Sequence, residues 1–276
     1  MSESQVTYRV EDGVGIITLN RPDKLNAWTG DMDEGVYGFM QEASADDAVH
    51  VILFTGAGRG FCAGADMENL KQIQSRGSQG SSGMKAEQID RRIERDVPAD
   101  FGLRYSYFPS VPKPVIGAIN GVTAGIGMVI ALYCDVRLWS DAARMTTVFA
   151  KRGLIAEHGV AWMLERLIGP ARAADLLFSA RFVHADEALT LGIANAVYPA
   201  ASFEQDALGY AKQMANTVSP RSLRVMKRQL WNDVFSSLAD AVERGNQEMV
   251  ASFDSEDFKE GLAHFLEKRE PRFTGR

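Results

Sequence analysis

The sequence is poor in cysteine. Its 276 residues include two cysteines, Cys62 and Cys134, and four histidines. No group of cysteine and histidine residues has the spacing of metal ligands, so we expect no zinc site. Isolated cysteines of this kind are usually small buried residues in proteins of a reducing compartment.

Long apolar runs are also missing. The longest, residues 129–133, is far too short to span a bilayer. The first residues (MSESQVTYRVEDG) lack the basic stretch followed by an apolar run that marks a signal peptide. We therefore expect a cytoplasmic protein with no membrane partner.

Positive charge is in deficit. The chain has 36 acidic and 30 basic side chains and a net charge of −6. Because nucleic acids and anionic lipids both need a basic surface, this balance predicts no nucleic-acid partner. It leaves room for a local basic patch that binds a phosphorylated ligand.

The glycine motifs of nucleotide and hydrolase sites are missing too. Residues 56–61 approach the dinucleotide pattern G-x-G-x-x-G, but Phe61 stands at the last glycine position. Neither the P-loop G-x-x-x-x-G-K-[ST] nor the nucleophile elbow G-x-S-x-G occurs. These absences disfavour an NAD-dependent enzyme and a P-loop nucleotide site.

What is present is an ordinary globular composition, with 46% hydrophobic and 24% charged residues. Strand and helix patterns alternate up to about Pro199, and amphipathic helices follow, which predicts an α/β fold with a C-terminal helical region. The predicted strands are residues 6–10 and 14–19, which Glu11-Asp12-Gly13 would join as a hairpin, then 49–55 and 115–119, with another starting near 135. The predicted helices are residues 31–43, 84–97, 125–133, 160–168, 202–217, 220–233, 236–250 and 254–268, and residues 77–83 are a predicted loop.

Two segments share one unusual pattern. Residues 55–66 (TGAGRGFCAGAD) and 118–127 (AINGVTAGIG) each follow a strand, turn through small residues and lead into a helix. Small side chains let a ligand approach the backbone, and free N–H groups at a helix start are good donors to an anion. Two such donors that converge form an oxyanion hole, which suits an enolate or a tetrahedral intermediate.

With these segments in place, the sequence resembles the crotonase, or enoyl-CoA hydratase/isomerase, superfamily. The resemblance runs through nearly the whole chain in one order, and its motifs are 20–27 (NRPDKLNA), 61–66 (FCAGAD), 113–121 (KPVIGAING), 134–135 (CD), 185–193 (ADEALTLGI) and 265–269 (FLEKR). It implies a spiral of ββα turns in residues 1–199 that holds the CoA and oxyanion sites. It further implies a helical region in residues 200–276 for oligomerisation and CoA contact, and a homotrimer or dimer of trimers.

The resemblance also implies roles for single residues. The backbone N–H groups of Ala65 and Ile126 would form the oxyanion hole, although relatives usually have glycine in place of Ile126. The substrate would be an acyl-CoA thioester, with CoA as part of the substrate and no permanently bound cofactor. The residues implied in CoA contact are Lys24 and Leu25 at the adenine end, Ala63, Asp66, Met67 and Glu68 along the pantetheine and acyl entrance, and Phe265 and Lys268 in the tail.

The chain departs from the hydratases of this family at the two acid–base positions. Ungapped alignment places Val129 and Phe149 where those hydratases carry glutamates, and neither side chain exchanges protons. Glu157 and His158 lie nearby in the segment 153–159 (GLIAEHG), where dienoyl-CoA isomerases and the aryl-CoA dehalogenase carry an aspartate. We therefore expect Glu157 to act as the acid or base and His158 to orient it or relay a proton.

Several functions fit these residues. An acyl-CoA enzyme that works through an enolate would carry out isomerisation, hydration by altered residues, or hydrolysis, and isomerisation needs only one proton shuttle. The alternative is a homologue that binds CoA thioesters and has lost catalysis. Arg104, Tyr105 and Tyr107 lie in a segment that lines the acyl pocket of relatives and would supply a further donor there.

Overall fold

The structure is a computed structural model that describes residues 4–76 and 90–276. These residues form ten strands in two sheets, and ten α-helices. The strands are β1 (Val6–Glu11), β2 (Val14–Leu19), β3 (Val51–Gly56), β4 (Gly60–Cys62), β5 (Val115–Ile119), β6 (Val122–Ala124), β7 (Val136–Ser140), β8 (Arg144–Thr146), β9 (Val183–His184) and β10 (Ala196–Tyr198). The helices are α1 (Gly30–Ala45), α2 (Met67–Arg76), α3 (Ile126–Tyr133), α4 (Val160–Ile168), α5 (Pro170–Ser179), α6 (Ala185–Leu191), α7 (Phe203–Thr217), α8 (Pro220–Asp233), α9 (Leu238–Phe253) and α10 (Glu256–Glu267).

The chain begins with the predicted hairpin. β1 and β2 pair in antiparallel register, with Glu11 opposite Val14. The two residues between them, Asp12 and Gly13, have φ angles of 47° and 80°. Two positive φ angles define the type I′ turn, whose twist matches that of paired strands, and Asp-Gly is a preferred sequence for it.

One unit repeats three times through the middle of the chain. A strand in the six-stranded sheet is followed by a short strand in the four-stranded sheet and then by a helix: β3-β4-α2, β5-β6-α3 and β7-β8-α4. Within the small sheet β4 pairs with β6, and β6 with β8, all in parallel. The predicted spiral of ββα turns is therefore confirmed. Since parallel neighbours end at one edge, the segments that follow β4 and β6 emerge side by side.

The central strands of the large sheet are buried on both faces. On β3, Ile52 and Phe54 point into the main hydrophobic core, which also holds apolar residues of α1 and α3. The alternate residues Val51 and Leu53 face α7 and its residue Phe203. Strands covered on both faces read as continuous apolar runs, as the sequence VILF does here.

Four helices follow β10, close to the predicted ranges, and a buried ion pair attaches the second of them to the core. Lys227 of α8 is 5% exposed and lies 2.7 Å from the carboxylate of Asp135. Its Nζ also donates to the carbonyl oxygens of Phe108 and Lys113, and Trp231 Nε1 donates to Asp135 at 2.9 Å. These bonds fix α8 against the segments that enter β5 and β7.

The helix predicted for residues 84–97 is wrong over the part that the structure describes. Residues 90–97 form bends without helical hydrogen bonding. Their charged side chains bind other elements: Arg91 pairs with Asp33 of α1, and Glu94 pairs with Arg224 of α8. These distant partners hold the segment in an irregular path, which local charge spacing does not reveal. The loop predicted at residues 77–83 lies outside the described residues.

Among residues 4–76 and 90–276, we find no helix with the length and apolarity that crossing a membrane requires. Within the same residues, no cluster of three or more histidine, cysteine or acidic side chains is arranged to hold a metal ion.

Candidate active site

The two glycine turns predicted from the sequence lie against each other at the edge of the small sheet. The first turn lies in residues 55–66, and the second lies in residues 118–127. A β-carbon added to Gly64, whose φ is 101°, would lie 3.1 Å from the carbonyl oxygen of Ala124. A β-carbon on Gly127 would overlap the carbonyl oxygen of Cys62. Glycine is therefore required at Gly64 by its positive φ, where the approach is also tight, and at Gly127 by close approach to the backbone.

The amide of Ala65 is left unused by the pairing around it. Trp28 and Ala65 form an isolated parallel bridge in which Trp28 N donates to Gly64 O and Asp66 N donates to Trp28 O. In parallel pairing, successive N–H groups of one strand point to opposite sides, so the N–H of Ala65 points away from Trp28. It donates to no described residue.

The amide of Ile126 is free for a different reason. Ile126 is the first residue of α3, and Gly125 precedes it as the N-cap with φ of 51°. The first amides of a helix have no partner in the preceding turn, and Ile126 N–H donates to no described residue. Its φ is not positive, so isoleucine is accommodated without backbone strain, and its partly buried side chain packs against the main core.

The two positions that the resemblance aligns with hydratase glutamates are filled by apolar side chains close to this turn. Val129 lies on α3 and is buried, and so is Phe149. The Phe149 ring comes within 4.0 Å of the position that a β-carbon would take on Gly125. The second turn therefore has an apolar wall with no titratable group from these two positions.

Two asparagines hold the loop between β3 and β4 in place, and the sequence interpretation missed both. Asn26 is fully buried; its Nδ2 donates to Ala57 O at 3.0 Å and to Gly60 O at 2.7 Å. Asn120 Nδ2 donates to Gly56 O and Gly58 O, each at 2.8 Å. Both asparagines stand in the motifs quoted above, so their positions carried a signal, but not their partners.

Glu157 and His158 lie in the turn that precedes α4. The carboxylate and the imidazole are 3.6 Å apart, and each side chain is about a quarter exposed. Tyr133, the last residue of α3, donates from its hydroxyl to His158 O at 3.0 Å. The proposed acid–base pair is thus attached to the helix that begins at Ile126.

Packed aromatic rings connect this pair with the first turn. The rings of Tyr105 and His158 meet edge to face with 4.7 Å between centroids. Trp28, which forms the bridge with Ala65, packs edge to face against Tyr105 with 6.0 Å between ring centroids. The structure therefore connects Ala65 with His158 and Glu157 through the packed rings of Trp28 and Tyr105, and with Ile126 through the contact between the two turns.

Strained backbone is concentrated in the same region. Tyr105, Val148 and His158 have φ angles of 71°, 56° and 53°, in the left-handed region that bulky and β-branched residues rarely adopt. Val148 lies 3.5 Å from the β-carbon position of Gly125. The rings of Tyr105 and His158 pack against each other. Such outliers persist where the surrounding structure imposes them, and they cluster at active sites.

Burial sets the charges of the pair. Partial burial raises the pKa of the Glu157 carboxyl above its ordinary value of 4.5. Burial, helped by the positive charge of Arg104, lowers the pKa of His158 to about 4. At neutral pH the imidazole is therefore uncharged, and Glu157 takes up a proton more readily than an exposed glutamate does.

The residues implied at the CoA entrance surround the first turn. Asp66 caps α2 by accepting from Glu68 N at 2.9 Å and pairs with Arg21 at 3.0 Å, which lowers the pKa of its carboxyl. Its charge is therefore already engaged within the protein. The backbone of Ala63 donates to Leu25 O at 3.0 Å, so the loop carrying Lys24 and Leu25 lies beside the turn. Ala63 is partly exposed, while Lys24, Met67 and Glu68 are exposed.

The tail residues are not brought to this site within one chain. Phe265 is 77% exposed on α10, and Lys268 ends that helix with φ of 56°. The hydrogen bonds of α10 to other described segments run to Ser219 and to the C-terminal residues.

A spiral of ββα turns with two converging glycine turns defines the crotonase class of proteins. The Enoyl-CoA hydratase/isomerase family model matches residues 9–276, and the chain belongs to this family. It is 33% identical over 274 residues to the 1,2-epoxyphenylacetyl-CoA isomerase of Escherichia coli K12, covering 98% of each chain. It is 29% identical over 273 residues to the short-chain-enoyl-CoA hydratase of Clostridium acetobutylicum, covering 98% of this chain and 97% of the relative.

A solved structure gives the same result. The enoyl-CoA hydratase of Bacillus anthracis superposes with a TM-score of 0.87 at 26% identity, over 99% of this chain and 100% of that one. The protein therefore belongs to an enzyme family of the hydratase/isomerase type, whose members act on CoA thioesters.

Proposed function

We propose that this protein is an acyl-CoA enzyme that binds the thioester carbonyl oxygen between the N–H groups of Ala65 and Ile126. One observation supports this most strongly: both amides are free of partners among the described residues, and they lie on turns in direct contact. A carbonyl oxygen that accepts both hydrogen bonds gains negative charge as the acyl group becomes an enolate. Fixed backbone donors then stabilise that charge without reorganisation.

Glu157 is the group that moves the proton. As a carboxylate it takes a proton from a carbon next to the polarised carbonyl or conjugated with it, and the electrons pass into the enolate. It then returns the proton to a different carbon, which relocates the double bond and leaves Glu157 ionised again. The raised pKa suits both steps, since the carboxyl must accept and release a proton near neutral pH.

Isomerisation is the reaction that this set of groups favours. Addition of water with two glutamates requires a second carboxylate, and Val129 and Phe149 occupy both usual positions. His158 is uncharged at neutral pH and 3.6 Å from Glu157, so it orients the carboxylate or relays its proton. A relative named as a CoA-thioester isomerase agrees with this choice.

The same proposal assigns CoA contacts and an assembly. Lys24 and Leu25 contact the adenine end, and Ala63, Asp66, Met67 and Glu68 line the entrance. Residues 1–199 carry these sites, and residues 200–276 mediate assembly into a homotrimer or dimer of trimers. Because Phe265 and Lys268 are exposed and remote within one chain, they reach CoA on a neighbouring subunit.

The decisive experiment compares the substitution Glu157→Gln with the substitution Glu165→Gln. Glu165 lies on α4, is half exposed and pairs with Arg166, so it controls for loss of a nearby carboxylate. Purified wild-type protein is incubated with a panel of enoyl-CoA thioesters, and products are resolved as isomers, hydrates or free CoA. We expect Glu157→Gln to lower kcat on the order of 100- to 10,000-fold with CoA binding retained, and Glu165→Gln to have little effect.

A second candidate is a homologue that binds CoA thioesters without catalysis, which the apolar side chains of Val129 and Phe149 favour. Tight thioester binding with no change in any thioester, and binding that is indifferent to Glu157→Gln, would select this candidate. Release of free CoA that depends on Glu157 would instead select hydrolysis.

A further inference from the structure

A second charged group borders the candidate active site beyond Glu157. Arg104 Nε donates to the carboxylate of Asp33 at 2.9 Å, and the arginine side chain is 49% exposed. Its terminal nitrogens, Nη1 and Nη2, donate to no described residue. A guanidinium carries five donors in a planar fork, so most of its capacity remains free.

The guanidinium is held on the same aromatic ring that His158 touches. Its Cζ lies 5.1 Å from the centroid of Tyr105, over the ring. The imidazole of His158 meets that ring at 4.7 Å, and the charge of Arg104 contributes to the lowered pKa of His158. Arg104 and His158 thus flank one side chain.

These groups form a series of contacts that starts at the first turn. The first turn contacts Trp28, Trp28 packs on Tyr105, and Tyr105 carries both His158 and Arg104. A thioester carbonyl held at Ala65 would place the reacting carbons toward Glu157. The remote end of the acyl group would then approach Arg104.

Asp33 fixes the position of the arginine without using all of its donors. This carboxylate is 4% exposed and lies within 3.1 Å of both Arg91 and Arg104. Arg91 also pairs with Glu34, whereas Arg104 has no second carboxylate among the described residues. Nε is anchored, and the fork formed by the two terminal nitrogens is available to a ligand.

We propose that Arg104 binds a carboxylate at the remote end of the acyl group, so that the preferred substrates are CoA thioesters of dicarboxylic acids. This inference rests on the proposed function, because it takes the thioester carbonyl to be held at the two turns. A planar carboxylate matches the guanidinium fork in a way that a methyl end does not.

The test uses matched pairs of enoyl-CoA thioesters of increasing length that end either in a methyl group or in a carboxylate. For the best length, we expect kcat/KM to be on the order of 10- to 100-fold higher for the carboxylate end, as a charge-assisted hydrogen bond implies. The preference should shrink at high salt. Equal kcat/KM values within every pair would overturn the proposal, as would a preference for the methyl end.

The variant that tests the residue is Arg104→Gln, with Arg166→Gln as its control. Arg166 likewise stacks on an aromatic ring, that of Trp162 at 3.8 Å, is 44% exposed and pairs with one carboxylate. Arg104→Gln should abolish the preference for the carboxylate end, and Arg166→Gln should keep it. A preference that survives Arg104→Gln contradicts the assignment.

Two further measurements keep the outcome interpretable. If Arg104→Gln does not fold because Asp33 loses a partner, Arg104→Lys retains the charge without the fork and should keep only part of the preference. Binding of saturated thioesters of the two kinds is measured separately by calorimetry. If no thioester is turned over, the proposed function fails, but tighter binding of the carboxylate series that depends on Arg104 would still support this inference.

Discussion

The hydroxyl group of Tyr133 donates a hydrogen bond to the backbone carbonyl oxygen of His158, with 3.0 Å between the two oxygens. Tyr133 ends the helix that Ile126 begins, so one short helix carries the proposed oxyanion donor at its start and holds the proposed acid–base turn at its end. In the proposed mechanism, the position of Glu157 relative to the thioester carbonyl therefore depends on this bond.

Removing the Tyr133 hydroxyl alone should make the position of Glu157 less well defined. In Tyr133→Phe the ring remains, and His158 O loses its partner. We expect kcat to fall on the order of 10-fold, because small misplacement of a catalytic group is costly. Steady-state kinetics on the best substrate of the panel checks this. Tyr198→Phe, on β10 at the far side of the large sheet, is the control and should behave as wild type.

The donor at Ile126 can be deleted without changing a side chain that ionises. Ile126 occupies the first position of α3, where proline is tolerated because it replaces an amide with no helical partner. We expect Ile126→Pro to lower kcat on the order of 100- to 1,000-fold, as loss of one oxyanion donor does. Ile126→Ala keeps the N–H and should retain most activity. Similar kcat values for the two variants would contradict the role of this amide.

Sequence reasoning found the pieces of this site but not the contacts between them. The two glycine turns were visible as local patterns, and the hairpin and the α3 segment followed from turn chemistry and apolar composition. The pair Glu157–His158 was proposed through the family resemblance. The bonds of Asn26, Asn120 and Tyr133 join residues far apart in the chain, and no local period encodes them.

The error at residues 90–97 has the same origin. Charged residues spaced through this segment suggested an exposed helix. Their partners on α1 and α8 instead hold the segment in an irregular path across the surface. Intrinsic helix propensity is weak, and its sum over a short segment is small. The ion pairs to other elements therefore outweighed it.

The pH dependence of the reaction should identify Glu157 as the titrating group. A base must be ionised, and burial raises the pKa of Glu157, so kcat should fall as pH decreases through a midpoint above 4.5. His158, with a pKa of about 4, is already neutral over most of that range. The pH profile of kcat for His158→Gln should therefore keep its acid limb. A limb that disappears in His158→Gln would show that histidine titrates instead.

The attachment of the C-terminal helices can be tested through stability. Lys227 is buried with the carboxylate of Asp135, and Lys227→Met leaves that charge without its cation. We expect the free energy of unfolding to fall by about 3–5 kcal/mol, measured by denaturant titration. Lys259→Met, which breaks an exposed ion pair with Glu256 at the same 2.7 Å distance, should change it little. A small change in Lys227→Met would show that α8 is held mainly by other contacts.

The helices after β10 expose many large apolar side chains to solvent. Leu238 of α9 is 81% exposed and Leu266 of α10 is 77% exposed, in a region where many other apolar side chains are also exposed. Large exposed apolar patches mark association surfaces, so the proposed trimer should bury these residues.

In the double substitution Leu238→Asp and Leu266→Asp, light scattering after size exclusion should show a mass shifted toward 30.3 kDa. Leu189→Asp on α6, where the side chain is 47% exposed, should keep the wild-type mass. A wild-type protein that already runs at the mass of one chain would contradict the assembly and would also remove the neighbouring subunit that brings Phe265 and Lys268 to CoA.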